Sequence, residues 1–283
     1  MKVFEAVAQA TQLLDRAVAG NPRLDAERLL AFELGVDRTY LLAHFHDTVD
    51  DPRLERFFAK AQARSEGMPL QYLLGSQEFR GLDFAVNQDV LIPRPETELV
   101  VEEALQRLST GNPWIVDVGT GSGCIAVSVA VALPGARLWA IDLSAAALDV
   151  AARNAARHGV AERIRFLQGD LLSPLRDQHA EGTIDCVLSN PPYVAENELP
   201  ALQQEVRDWE PRMALVGGPS GLSVCSRLVP EAHRCLRPGG HLIMEIGYSM
   251  RDAVVGLFDS TWRLETVRED YNGFPRVVVA LKR

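Results

Sequence analysis

Trp114-Ile115-Val116-Asp117-Val118-Gly119-Thr120-Gly121-Ser122-Gly123 is the stretch on which the fold turns. The run 114–118 reads as a buried strand, the alternating glycines as a tight turn, and the apolar run from Cys124 to Leu133 as the helix that follows. Glycine lets a backbone turn sharply and approach a ligand, while free N–H groups at the start of the helix can receive polar or anionic groups. The turn ends without a lysine followed by serine or threonine, which argues against a phosphate-binding P-loop.

Downstream, strands and helices alternate. Strand 137–141 precedes a helix over 145–158, and strands 163–167 and 183–189 follow. After a long loop come a helix across 222–236, a strand over 241–246, a short helix near Val254, and terminal strands over 262–267 and 276–281, joined by a turn within 268–276. Buried parallel strands read as nearly continuous apolar runs, as these do, so the pattern predicts a doubly wound, Rossmann-like α/β sheet. Ligands bind beyond the carboxyl ends of such strands. Asp142, 23 residues after Gly119, ends the second strand, where a carboxylate can take a ribose diol. Asp170, after the third, can meet an adenine amino group, with Leu171 covering the ring.

Upstream the period is helical. Positions 3, 7, 10, 14 and 18 form one apolar stripe from Val3 to Val18, and Gly20 closes that helix. Asn21-Pro22 starts a second helix that ends before Gly35, and Asp37 caps a third that runs through Phe45. Asp51-Pro52 starts a fourth, with Leu54, Phe57, Phe58 and Ala61 inward and Gly67 at its end. Short helices do not persist alone in water, so they are expected to pack as a small bundle. Between Ser76 and Gln88 the period becomes two about Arg80-Gly81, as in a hairpin, and after Pro93-Arg94-Pro95 a helix is expected over 96–108. The domains read as 1–75, a helical bundle; 76–88, a hairpin connector; and 89–283, the α/β domain.

Composition narrows the partners. With 283 residues and a formal charge of −9, the chain repels nucleic acid at long range. Cys124, Cys186, Cys225 and Cys235 lack zinc-site spacing and are expected to be reduced core thiols in a cytosol-like compartment. His44 and His46 cannot share a helical face, so no metal site is expected. Polar and acidic residues interrupt the first apolar run before it forms a signal core. No run approaches the roughly 20 apolar residues of a membrane span.

Ser189-Asn190-Pro191-Pro192-Tyr193, after the fourth strand, is the most informative run. Two prolines remove two backbone donors and fix their own φ angles, which holds the loop rigid. Asn190 then offers a side-chain acceptor, Pro191 a carbonyl, and Tyr193 an aromatic face for a flat group.

This motif resembles the signature of methyltransferases that act on nitrogen conjugated to a planar system, and the whole chain resembles the HemK/PrmC family. The resemblance extends through 67–75 (GMPLQYLLG), 90–98 (VLIPRPETE), Glu210-Pro211, Ala214-Leu215, Gly217-Gly218 and Gly221-Leu222. Val118 stands where the family usually has cysteine. The resemblance implies methyl transfer from S-adenosyl-L-methionine to the side-chain nitrogen of the glutamine in the Gly-Gly-Gln motif of class I peptide chain release factors. It implies a Rossmann-like methyltransferase domain after a helical substrate-recognition domain. The implied catalytic residues are Asn190, Pro191, Pro192 and Tyr193. Cofactor contacts fall to Asp117, Gly119, Thr120, Gly121, Gly123, Asp142, Asp170, Leu171 and Asn190. Substrate contacts fall to Arg94, Glu96, Thr97, Asn190, Pro191 and Tyr193.

Adenine N6 methylation of DNA or RNA is the competing activity, because an exocyclic amine presents similar geometry to the same loop. A base-modifying enzyme needs a positive backbone-binding surface, to which the net charge lends no general help. A noncatalytic scaffold would show damage to the 190–193 or glycine loop, and neither is visible; a dehydrogenase leaves the proline loop unexplained. The expected partners are therefore class I release factors, with no direct DNA substrate and no membrane, and the chain is expected to act as a cytoplasmic monomer.

Overall fold

The computed structural model describes residues 1–15, 20–108, 111–178 and 180–283. They form two compact units, Met1–Ser76 with Gln203–Trp209, and Gln77–Leu202 with Glu210–Arg283.

In the first unit, α1 (Val3–Leu14) buries Val3, Val7, Ala10 and Leu14 on the stripe predicted from spacing; Val18 lies outside the described residues. Asn21 Oδ1 accepts from the Leu24 N–H at 3.1 Å to start α2 (Pro22–Leu34), and Gly35 ends it with φ 69°. Asp37 caps α3 (Arg38–Ala43). The cap of α4 (Asp51–Ser65) is Asp50, one residue earlier than expected, its carboxylate accepting from the Arg53 N–H at 3.0 Å. Phe57 is fully buried among Leu14, Leu29 and Leu30, whereas Phe58, expected inward, is only partly covered. A fifth helix, α5 (Leu70–Leu74), sits between Pro69 and Gly75 and is too short for periodicity to reveal.

The second unit begins with the hairpin β1 (Ser76–Phe79) and β2 (Leu82–Ala85). The proline at 95 allows one 3-10 turn, Pro95–Thr97, before α6 (Glu98–Arg107), two residues later than the expected start. Then come β3 (Trp114–Val118), α7 (Cys124–Ala132), β4 (Arg137–Asp142), α8 (Ala145–Arg157), β5 (Ile164–Gln168) and β6 (Ile184–Ser189). The segment read as a long loop contains α9 (Gln204–Trp209) and α10 (Arg212–Leu215). After it come α11 (Ser223–Cys235), β7 (Leu236–Glu245), α12 (Arg251–Val255), β8 (Trp262–Glu269) and β9 (Pro275–Lys282). β7 starts earlier than expected because Leu236 already pairs with Ile184 before a register shift.

The α9 segment, which the sequence reading assigned to the α/β domain, belongs to the helical unit. Buried Arg64 explains the attachment: its guanidinium donates to Asp25 at 2.9 Å, to the Met68 carbonyl at 3.0 Å and to Glu205 of α9 at 2.7 Å.

The sheet order is β5-β4-β3-β6-β7-β9-β8, with β9 antiparallel to both neighbours and the other pairings parallel. Alternate residues supply its two faces: Ile115, Leu138, Cys186 and Ile243 join one apolar cluster, and Val116, Trp139, Val187 and Leu242 the other. The four cysteines are unpaired and buried. No helix among the described residues is long and apolar enough to cross a membrane.

Asn154, fully buried on α8, fastens three parts of this unit. Its Nδ2 donates to the Ala85 carbonyl at 3.0 Å and to the Ser122 carbonyl at 2.8 Å, and its Oδ1 accepts from the Ala85 N–H at 2.8 Å. The hairpin and the glycine turn are thereby tied to one helix. Asn154→Ala would strand three backbone groups, and we expect a loss of about 2–4 kcal/mol of stability. Urea unfolding of the variant beside the wild type measures it.

Candidate functional site

A cavity of about 540 Å³ opens beyond the carboxyl ends of β3, β4 and β6. This is where a parallel sheet holds small ligands, and the volume is that of a cofactor site. Gly119, Thr120, Gly121, Asp142, Asp170 and Leu171 line one part, and Arg94, Thr97, Asn190, Pro191 and Pro192 another. Asp117, Gly123, Glu96 and Tyr193, also singled out in the sequence, are not among the lining residues.

Asp117 lies fully buried beneath the glycine turn. One carboxylate oxygen accepts from the Thr120 hydroxyl at 2.6 Å and the Ala126 N–H at 3.1 Å, which holds the turn against the first helical residues. The other oxygen, Oδ1, has no partner among the described residues. Burial pushes the acid up to about 7, nearby Asp142 adds to the rise, and the two donated hydrogen bonds oppose it. A buried acceptor left open in this way fits a cationic ligand group.

Asp142 is oriented by its own backbone surroundings: Gly121 N–H donates to Oδ2 and Ser144 N–H to Oδ1, each at 2.9 Å. Each oxygen keeps a lone pair for a hydroxyl donor. Leu171 holds φ 49°, a left-handed conformation costly for a leucine, at the cavity wall. Asp170, expected to meet an adenine amine, lines the cavity, and its half-exposed side chain accepts from Arg227, another lining residue. Gly123, expected to contact the ligand, also has a packing task. A Cβ there would meet Ala151 Cβ at 3.1 Å, so the absent side chain lets α7 and α8 approach closely.

The 190–193 loop is held from both sides. Ser189 Oγ donates to the Val118 carbonyl at 2.8 Å, joining the ends of β6 and β3. Val194 beyond the loop pairs in parallel with Val216, and the neighbouring chain packs so tightly that a Cβ on Gly217 would lie 2.4 Å from the Pro192 carbonyl. Pro191 is buried, yet its carbonyl accepts no hydrogen bond from a described residue.

The side chains of this loop meet residues on other elements. Asn190 Nδ2 donates to Thr97 Oγ1 at 3.0 Å, Thr97 Oγ1 donates to Glu245 Oε2 at 2.6 Å, and the Tyr193 hydroxyl donates to Glu245 Oε1 at 3.3 Å. Burial pushes Glu245 up to about 7, partly opposed by the hydrogen bonds from Thr97 and Tyr193. Tyr193, expected to offer its ring to the ligand, thus anchors by its hydroxyl, and its ring edge would stand 3.3 Å from a Cβ on Gly247. Burial and the neighbouring Glu245 charge raise its phenol well above the usual range. Arg94 lines the cavity while pairing with buried Glu210, and Glu96 is half-buried beside the loop network, its charge reaching Glu245 and Arg276.

Glu245 was not singled out from the sequence, and Glu210 entered only as part of the resemblance, without a site role. The available signal for Glu245 was one carboxylate inside an otherwise apolar strand, His241-Leu242-Ile243-Met244-Glu245-Ile246. An acid on a buried strand needs partners, and those partners mark a site. Among the described residues no cluster of side chains could hold a metal ion.

Comparison with known proteins agrees with this arrangement. Residues 5–75 match the PrmC N-terminal domain family and residues 96–207 the Methyltransferase small domain family. The release factor glutamine methyltransferase of Chlorobaculum tepidum is 46% identical over 90% of this chain and 88% of its own length. That of Moorella thermoacetica is 44% identical over 100% of this chain and 99% of its own. A methyltransferase from Pyrococcus furiosus shares the fold, with a TM-score of 0.52 at 17% identity over 82% of this chain and 99% of that one. The fold, the motif after β6 and full-length similarity to these relatives converge on one assignment: the chain belongs to the release factor glutamine methyltransferase family, HemK/PrmC.

Proposed function

We propose that this enzyme methylates the side-chain amide nitrogen, N5, of the glutamine in the Gly-Gly-Gln motif of class I peptide chain release factors, with S-adenosyl-L-methionine as methyl donor. The observation that carries the reading is the posture of Asn190. Its amide N–H is committed to Thr97, so its oxygen is the free acceptor of a side chain that lines the cavity.

The cavity fits the cofactor. Asp142 is oriented for the ribose diol, the 119–121 turn for the nucleoside and Leu171 for the adenine face, while the unpartnered oxygen of Asp117, buried beneath that turn and outside the lining, is the acceptor that would take the ammonium of the methionine portion. S-adenosyl-L-methionine supplies an electrophilic methyl group on its sulfonium sulfur. The amide that receives it is a poor nucleophile, because its lone pair is delocalised into the carbonyl, so orientation and electrostatics carry the catalysis. Asn190 Oδ1 and the Pro191 carbonyl accept the two amide hydrogens and fix the nitrogen's face. The same two oxygens stabilise the positive charge that grows on nitrogen. Asn190 is neutral and takes no proton; the product proton passes to water. Pro192 keeps the loop rigid, and Tyr193 braces it through Glu245. Thr97 orients Asn190, Arg94 forms the wall toward the substrate, and Glu96 stands behind it beside the loop network.

Residues 1–75, with the α9 segment that packs on them, serve substrate recognition, residues 76–88 form the connector, and the rest of 89–283 carries out transfer. We read the chain as a cytoplasmic monomer without a membrane or DNA partner; the unpaired buried cysteines support a reducing compartment, and the net charge of −9 speaks against a nucleic-acid partner.

Peptide mass mapping of a purified release factor should place one methyl on the Gly-Gly-Gln glutamine, and replacing that glutamine should abolish the product. Adenine oligonucleotides assayed in parallel should stay unmodified; methylation of adenine with none on glutamine would reverse the assignment. Asn190→Ala should keep cofactor affinity and lose roughly 100-fold or more in kcat, as when an acceptor of transition-state charge is removed. A second expectation concerns pH. Burial raises the Asp117 carboxyl to about 7, and its ionised form would attract the ammonium, so affinity should rise with pH through that value. Calorimetry should find binding about tenfold weaker at pH 6 than at pH 8, and Asp117→Asn should be weak and pH-independent.

A further inference from the structure

The hydrogen bonds around Asn190 form a chain with a direction, and one residue sets it. The chain runs from Asn190 Nδ2 to Thr97 Oγ1 to Glu245 Oε2, and Tyr193 donates to the other oxygen of the same carboxylate. A threonine hydroxyl has one hydrogen and can donate only once. While that hydrogen is held by Glu245, Thr97 can only accept from Asn190, and only the NH2 end of the Asn190 amide satisfies it. Remove the carboxylate and the hydroxyl is free to turn and donate to Asn190 Oδ1. The amide can then flip, presenting donors where the substrate needs an acceptor.

We propose that Glu245 is a positioning residue for methyl transfer: an ionised carboxylate that can only accept, it polarises the Thr97 hydroxyl and so makes Asn190 turn its amide oxygen toward the substrate. This rests on the reading that Asn190 receives a substrate N–H. Glu245 lies on β7, Thr97 in the turn before α6 and Asn190 beyond β6, so the orientation of one amide is fixed by three separate elements. The groups facing Glu245 favour the ionised state only in part. Thr97, Tyr193 and the Arg276 guanidinium of β9 lower its proton affinity, whereas burial and Glu96 raise it; Cys124 of α7 lies within electrostatic reach. A protonated Glu245 would carry a hydrogen of its own, and the direction of the chain would be lost. Turnover should therefore fall as pH drops through about 7, while wild-type cofactor affinity reports Asp117 separately.

The test uses the full-length enzyme and two substitutions. Glu245→Leu replaces the carboxylate with an apolar group of similar bulk, and Thr97→Val removes the hydroxyl link. In wild-type protein without ligands, the Asn190 side-chain NH2 should give an NMR signal protected from solvent exchange, and both variants should lose that protection. In each, kcat should fall roughly 10- to 100-fold with cofactor affinity changed less than about twofold. The double variant should lose little more than either single one, because both break the same chain. At saturating cofactor the acid limb of kcat should vanish in Thr97→Val, and Thr97→Ser, which keeps the hydroxyl, should lose far less. Folded Glu245→Leu protein with unchanged kcat and a still protected Asn190 amide would overturn the proposal. If that variant does not fold, the Thr97 pair decides: equal kcat in Val and Ser variants, or additive losses, would overturn it. Should wild-type enzyme give no glutamine product, the substrate reading fails, and the ligand-free NMR measurement still decides whether Glu245 orients Asn190.

Discussion

Holding a carboxylate away from water is expensive, and this fold does it on both sides of the strand that carries Asn190. Asp117 ends near the top of β3 and Glu245 at the end of β7, and β6 runs between those strands. Burial raises both acids to about 7, so each costs folding free energy when ionised at higher pH. The two serve different ends. Asp117 organises the glycine turn with one oxygen and leaves the other without a partner among the described residues, whereas Glu245 uses both oxygens to hold the loop network. Parallel pairing of β6 with both neighbours makes this possible, because it brings three strand ends to one level.

The remaining supports prevent that level from shifting. Asn154 ties the hairpin and the glycine turn to α8, Ser189 ties β6 to β3, and the Val194–Val216 pairing ties the end of the proline loop to the segment beyond it. Side chains are missing where they would interfere, at Gly123 against Ala151 and at Gly217 against the Pro192 carbonyl. A methyl-transfer site needs its acceptor atoms fixed to fractions of an ångström. Here that fixity comes from side-chain hydrogen bonds to backbone groups and from one backbone pairing, which join the strand ends to their neighbours.

Much of this was legible in the sequence because it is local. The strand, glycine turn and helix at 114–132 and the capped helices at Asn21 and Asp37 follow from residues adjacent in the chain, and the structure reproduces them within a residue or two. The Asn190 to Tyr193 loop could be placed after a strand for the same reason. What the sequence did not show depends on distant pairing. Glu245 meets Thr97 from far along the chain, α9 joins the helical unit through Arg64, and Asp170 is drawn to Arg227. Gly123 and Tyr193 also make scaffold contacts, to Ala151 and Glu245, that residue type and spacing do not carry.

Cys124 adds a chemical consequence. It opens α7 and lines the cavity, where a sulfur atom would share space with an alkylating sulfonium. Sulfur is strongly nucleophilic only as thiolate, and burial together with the Asp117 charge pushes this thiol up to about 12. A thiol kept protonated in this way is a weak methyl acceptor, so a cysteine on this wall is compatible with an alkylating cofactor. The desolvation that makes Asp117 costly also holds this sulfur in its less reactive form.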